Sequence, residues 1–156
     1  MSAKIIDGKE IASIMRVEMK EEVERLKKER NIIPGLAVII VGENPASVVY
    51  VRNKEKSCEE IGIYSEKYAL SEDVSEEELL GLINKLNKEE KIHGILVQLP
   101  LPKHINEKNI LNAINPSKDV DGFHPISIGK MVIGEDTFLS CTPHGIMELL
   151  KRTGVD

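Results

Sequence analysis

The segment from Ser47 to Ile61 carries the residue types best able to do chemistry. Read as a helix, it places Ser47, Tyr50, Val51, Lys54, Cys58 and Ile61 on one face, while Arg52, Lys56, Glu59 and Glu60 point elsewhere. Lys54 is then the one cation on an otherwise apolar face. Burial disfavours the charged form of a lysine, and an amine that sheds its proton near neutral pH can act as general base or acid. The alternative is a stripe-edge lysine whose stem is covered and whose head reaches water. Tyr50 and Ser47, one and two turns earlier, extend the polar ladder. The tyrosine is either a flat, hydroxylated ligand contact or an aromatic at the core edge.

Gln98 interrupts the apolar run GILVQLPLP. A buried amide must find partners or cost stability, so it either bonds Lys54 or a ligand, or is a satisfied structural glutamine. Asp119 and Asp121 are two residues apart in KDVDGFHP. In extended backbone they face opposite ways, which excludes a paired acid–base couple; one could bind amino groups of a heterocycle, or cap a turn with Gly122. His93, His104, His124 and His144 show no metal-ligand spacing and read as surface or loop residues, and no metal is expected. Cys58 and Cys141 lack a CxxC pattern and read as reduced thiols. There is no GxGxxG, GxxxxGK[ST] or GxSxG.

The elements that must position these groups follow from pattern. Asp7 with Glu10 opens a helix to about Arg30, with Ile11, Ile14, Met15, Met19, Val23 and Leu26 as its apolar stripe. Pro34-Gly35 breaks it, and Leu36 to Gly42 reads as a strand buried on both faces. Asn44 and Pro45 start the Lys54 helix, and Gly62 ends it. A short strand is expected at Lys67 to Leu70. Ser75 and Glu78 form a capping box before the stripe Leu79, Leu82, Ile83 and Leu86. A second buried strand spans Gly94 to Leu99, and a short helix Asn106 to Ala113. Asn115 to Pro125 reads as loop, and a last helix runs from about Pro143 to Lys151 behind a Thr142 cap. The alternation predicts an α/β fold with helices on both sides of a mostly parallel sheet. The ligand is expected at the carboxyl ends of the strands.

The chain of 156 residues is 41% hydrophobic and 30% charged, enough for one domain with a real core. A net charge of −5 argues against nucleic acid as partner. Three Tyr, two Phe and no Trp exclude a base-stacking platform. No apolar run reaches membrane-spanning length and no signal peptide is read, so a cytoplasmic protein without a membrane partner is expected. A signalling receiver module would need acidic residues after the first strand and a phosphoacceptor aspartate after a later one. Gly42-Glu43-Asn44 and Gln98-Leu99-Pro100 do not supply them.

Four segments, VGENPASVVYVRNKEKSCEEIGI (Val41 to Ile63), GILVQLPLP (Gly94 to Pro102), NPSKDVDGFHP (Asn115 to Pro125) and CTPHG (Cys141 to Gly145), occur in this order. Together they resemble the bifunctional methylenetetrahydrofolate dehydrogenase/methenyltetrahydrofolate cyclohydrolase family across essentially the whole chain. The resemblance implies Lys54, Gln98 and Tyr50 as catalytic residues. Lys54 moves protons in the cyclohydrolase step, Gln98 tunes it, and Tyr50 packs over the folate. It implies Tyr50, Ser47, Gln98, Leu99, Pro100 and Asp121 as the substrate-binding set, with Asp121 on the pterin nitrogens, and assigns no role to Asp119. Ser140 stands where the family usually has proline. The resemblance also implies NADP or NAD as cofactor, bound by a Rossmann-type second domain missing from this chain. Residues 1–139 would form the folate-binding catalytic domain and 140–156 the connection onward. The implied partners are tetrahydrofolate derivatives and a second copy in a homodimer; a non-catalytic folate-binding fragment is the alternative.

Overall fold

The structure, a computed structural model, describes residues 5–154. Met1–Lys4 and Val155–Asp156, which enter the boundaries expected above, lie outside them. Helix α1 (Gly8–Arg30) starts at Asp7, whose carboxylate accepts from the Lys9 and Glu10 amides at 2.9 and 3.1 Å. Strand β1 (Gly35–Val41) leads into α2 (Pro45–Ile61), where Asn44 caps the first turn and Gly62 closes the last in left-handed conformation. Then follow β2 (Tyr64–Leu70), α3 (Glu76–Lys88) behind the reciprocal Ser75–Glu78 capping box, β3 (Gly94–Val97) and α4 (Glu107–Ala113). A single 3₁₀ turn at Pro116–Lys118 precedes α5 (Pro125–Ile133) and α6 (Cys141–Thr153).

The three strands form a parallel sheet in the order β2-β1-β3. The central strand alternates its side chains between two cores. Ala37, Ile39 and Val41 join Ile95 and Val97 of β3 beneath Leu79, Ile83 and Leu86 of α3 and Ile110 of α4. Val38 and Ile40 join Leu96 beneath Val51 of α2. Helices thus cover both faces, the α/β arrangement expected. The continuous apolar run of β1 is explained by this double burial.

Four boundaries differ from expectation. β2 begins three residues early, at Tyr64. It is an edge strand with polar side chains, where Glu66 accepts from the Tyr64 and Tyr68 hydroxyls and from Lys91, so its apolar signal is weak. β3 ends at Val97, one residue before Gln98, although the Gln98 amide still donates to the Ile39 carbonyl at 2.8 Å. Helix α5 was not expected at all. Its sequence PISIGKMVI is apolar nearly all round, with β-branched residues and a central glycine, and no helical period shows; Pro125 in its first turn was the available signal. Helix α6 starts at Cys141, so Thr142 lies inside the helix rather than capping it, and the N-cap Ser140 makes no side-chain cap bond. The α1 stripe is only partly covered: Ile11 and Val23 are buried, whereas Ile14 and Met19 are exposed. Arg152 of α6 clasps Glu18 of α1 through two bonds of 2.9 and 2.6 Å. Among the described residues no helix is long and apolar enough to cross a membrane.

Candidate active site

Lys54 is partly buried on α2, and its Nζ donates to Gln98 Oε1 at 3.0 Å. The other end of the Gln98 amide donates to the Leu99 carbonyl at 2.8 Å, so both ends of the side chain are fixed. Nζ also lies 5.9 Å from the centroid of the Tyr50 ring, one turn earlier. Tyr50 is 61% exposed, which leaves most of its ring open to a ligand. The structure therefore favours a partnered lysine over one that merely reaches water.

The two aspartates divide as the backbone predicts. Asp119 is 1% exposed. It accepts from the Phe123 and His124 amides at 3.3 and 2.8 Å and from Ser127 Oγ at 2.7 Å. It thereby ties the start of α5 to the sheet edge, where it also bridges Ile95. His124, expected as a surface or loop residue, is buried, because its Nδ1 caps α5 by accepting from the Ile126 amide. Asp121 faces the other way, into a cavity of about 760 Å³ that Tyr50, Lys54 and Cys141 also line. Burial pushes the Asp121 carboxyl above its ordinary range. The positive charge of Lys54 opposes this, Asp119 adds to it, and the Cys141 thiol opposes it through a hydrogen bond.

This cavity does not sit above the carboxyl ends of the strands, where the ligand was expected. It runs along α2 from Tyr50 to Ile61, past Leu36 and Gly94 near the strands' amino ends, and Phe138 and Thr142 help close it. The reason is the chain between α5 and α6, which folds back against α2 and forms a second wall. Gly122 makes that return possible. At φ +66° it adopts a left-handed conformation, and an added Cβ would meet the Leu139 carbonyl carbon at 2.6 Å and the Ser140 nitrogen at 2.7 Å. Gly122→Ala is expected to destabilise the fold by about 1–3 kcal/mol. A urea midpoint equal to that of the parent chain would show that the return is not so tightly held.

Of the other expected site residues, Ser47 is buried beneath the first turn of α2 and Leu99 is half-buried. Pro100 borders a separate depression with Glu43, Asn44 and Glu72. These three do not join Lys54 and Asp121 in lining the larger cavity. Cys141 was read from the sequence only for metal or disulfide spacing, yet its thiol contacts the Val120 carbonyl at 3.3 Å beside Asp121. Its place at the first position of α6 was the unread signal. Cys58 and Cys141 are both free thiols.

Comparison with known proteins decides the family. The sequence model of the tetrahydrofolate dehydrogenase/cyclohydrolase catalytic domain matches residues 6–121. The chain belongs to the tetrahydrofolate dehydrogenase/cyclohydrolase family. Among relatives of this family, the bifunctional protein FolD of Acetivibrio thermocellus is 60% identical over all 156 residues, which cover 54% of that protein. The bifunctional FolD dehydrogenase/cyclohydrolase of Campylobacter jejuni superposes with a TM-score of 0.96 at 50% identity, over 99% of this chain and 55% of that one. The Trypanosoma brucei dehydrogenase-cyclohydrolase, solved with NADP cofactor and inhibitor, superposes at 0.95 with 37% identity, over 99% and 54%. The chain thus spans about half the length of the relatives it matches. The dehydrogenase/cyclohydrolase catalytic-domain match ends at Asp121, so α5 and α6 lie beyond it.

Proposed function

We propose that these residues form the folate-binding, catalytic part of an enzyme that oxidises 5,10-methylenetetrahydrofolate and hydrolyses the resulting 5,10-methenyl compound to 10-formyltetrahydrofolate. The observation that carries this reading is the Lys54–Gln98 pair, bonded at 3.0 Å, with Tyr50 and Asp121 on the same cavity. The reading includes a cytoplasmic homodimer.

In the hydrolytic step water adds to the methenyl carbon, and its proton passes to the Lys54 amine. The bond from that carbon to the pterin ring nitrogen then breaks as the adduct's hydroxyl loses its proton to solvent and becomes the formyl carbonyl, and Lys54 returns a proton to the departing nitrogen. Gln98, anchored on the Leu99 carbonyl, holds the amine in direction. Tyr50 lies against the flat part of the folate, and Asp121 accepts hydrogen bonds from pterin amino and ring N–H groups.

The oxidation requires a nicotinamide cofactor, NADP or NAD, as hydride acceptor. The described residues do not fit one. At the β1–α2 connection Gly42-Glu43-Asn44 has a single glycine and an acidic residue, Pro45 has no N–H, and Asn44 Oδ1 already occupies the Ala46 and Ser47 amides at 3.0 and 3.2 Å. A pyrophosphate finds no free donors there. In this reading the cofactor is bound outside that connection.

The test uses the 156-residue chain. Tetrahydrofolate is expected to bind by calorimetry near one per chain, and NADP reduction with 5,10-methylenetetrahydrofolate to be negligible, since hydride transfer needs the nicotinamide within roughly 3–3.5 Å of the donor carbon. Robust NADP reduction would overturn the placement of the cofactor, and absence of folate binding would overturn the function itself.

A further inference from the structure

We propose, on the folate reading given above, that Lys118 is a positioning residue for Asp121, its ammonium pinning the loop that carries this carboxylate to the end of α3. Lys118 Nζ donates to the Leu86 carbonyl at 3.0 Å and to the Glu89 carbonyl at 2.9 Å. Leu86 lies in the last turn of α3 and Glu89 is its C-cap. A helix leaves carbonyls without intrahelical partners at this end, and its dipole favours a cation there. Lys118 is half-buried and comes from a separate segment, so the contact ties two parts of the chain together.

The tie belongs to a clamp. Asn87, also in the last turn of α3, donates to the Ala113 carbonyl at 2.7 Å and accepts from the Asn115 amide at 2.9 Å. The end of α3 thus grips Ala113, Asn115 and Lys118 on the way to Asp121. Beyond the grip, the Lys118 carbonyl accepts from the Val120 amide at 3.0 Å and the Asp119 carbonyl from the Gly122 amide at 3.1 Å. Little slack separates the ammonium from the carboxylate three residues on. Val120 lies against Gly94 at the start of β3, where an added Cβ would stand 2.4 Å from Val120 Cγ1. Asp119 holds the loop from its downstream side through the Phe123 and His124 amides, and Lys118 holds it from upstream. Movement of the loop would carry Val120 and Asp121, which line the cavity, along with it.

The chemistry suits an ammonium. Lysine offers three donors and no acceptor, so one side chain serves both carbonyls. Hydrogen bonds from a charged donor are shorter and stronger than neutral ones. Asp121 itself is faced by Lys54 from α2, by Cys141 from α6 and by Asp119 from its own loop. Lys118 is turned the other way, to the end of α3. It acts on Asp121 through the backbone and not through its charge.

The test compares Lys118→Met, Lys118→Arg and Ser75→Ala in the 156-residue chain. Methionine keeps the apolar stem and removes the ammonium, whereas arginine keeps a cation able to bond two carbonyls. Ser75→Ala breaks the cap at the opposite end of α3 and serves as a destabilised control. The titration of Asp121, followed by carbon-13 NMR of its carboxyl, is expected at lower pH in the methionine variant. A loosened loop relieves the burial that raises it. Loss of a cation acting by charge alone would move the titration the other way. Tetrahydrofolate affinity is expected to fall roughly three- to tenfold in the methionine variant, since apparent affinity scales with the fraction of chains whose loop is in place. Arginine is expected to restore both readouts, and Ser75→Ala to leave both at the parent value. An Asp121 titration in the methionine variant equal to or above the parent's would overturn the proposal, as would equal shifts in the methionine and Ser75→Ala variants. Should Lys118→Met not fold, Lys118→Gln, with a neutral donor on a shorter stem, takes its place in the same comparison. The titration needs no ligand, so a parent chain that fails to bind folate would refute the function while the Lys118 tie is still judged on its own.

Discussion

Replacing Lys54 with methionine in the full-length enzyme is expected to abolish hydrolysis of 5,10-methenyltetrahydrofolate while tetrahydrofolate still binds. Methionine keeps the length and the apolar stem of the side chain, so the packing on α2 survives. What disappears is the amine bonded to Gln98 at 3.0 Å. A positioned proton-transfer group contributes typically 10²- to 10⁴-fold to a rate, so the loss should lie in that range. Absorbance of the methenyl compound follows the reaction directly. Hydrolysis near the parent rate, with binding intact, would mean that another group moves the proton.

The second large effect is at Asp121. Asp121→Ala removes the one carboxylate that, among the described residues, lines the cavity, and tetrahydrofolate binding should weaken by roughly 10- to 100-fold, the value of hydrogen bonds to a charged group. The same position should show the opposite sign in stability. The folded protein holds the Asp121 carboxyl above its unfolded value, chiefly by burial. In the window between those two values the folded state binds more protons, so stability rises as pH falls through it and is lowest above it. Asp121→Asn, which keeps the shape and removes the buried charge, is therefore expected to raise the Tm at pH 7, by roughly 2–4 °C for each kcal/mol recovered. A lowered Tm at pH 7 together with unchanged folate affinity would remove Asp121 from the site.

Much of this was legible in the residues, and the gaps have physical causes. The double burial of β1 shows as an unbroken apolar run because neither face meets water. The bounds of α2 show because Asn44, Pro45 and Gly62 each have a backbone reason to be where they are. The wheel that gathers Tyr50 and Lys54 shows because helical spacing is local. Helix α5 hid because a helix apolar on every side carries no period. Edge strand β2 showed only in its second half, Lys67 to Leu70; its start at Tyr64 hid because the residues there are polar. The bond from Lys54 to Gln98 joins residues 44 positions apart, so pattern alone could name it only as one option among several. The course of the cavity along α2 depends on the return of the chain after α5, which only Gly122 hinted at. Cys141 was weighed for metals and disulfides, and its partner turned out to be the Val120 carbonyl.

Asp119 has one more consequence. Its carboxylate is held by three protein donors, and it helps anchor the turn that presents Asp121. The two acids are thereby insulated from each other's duties: exchange of the outward one leaves the scaffold's clamp shut. Such a layout lets natural variation or a bench chemist retune what the pocket recognises at one address without rebuilding the frame around it.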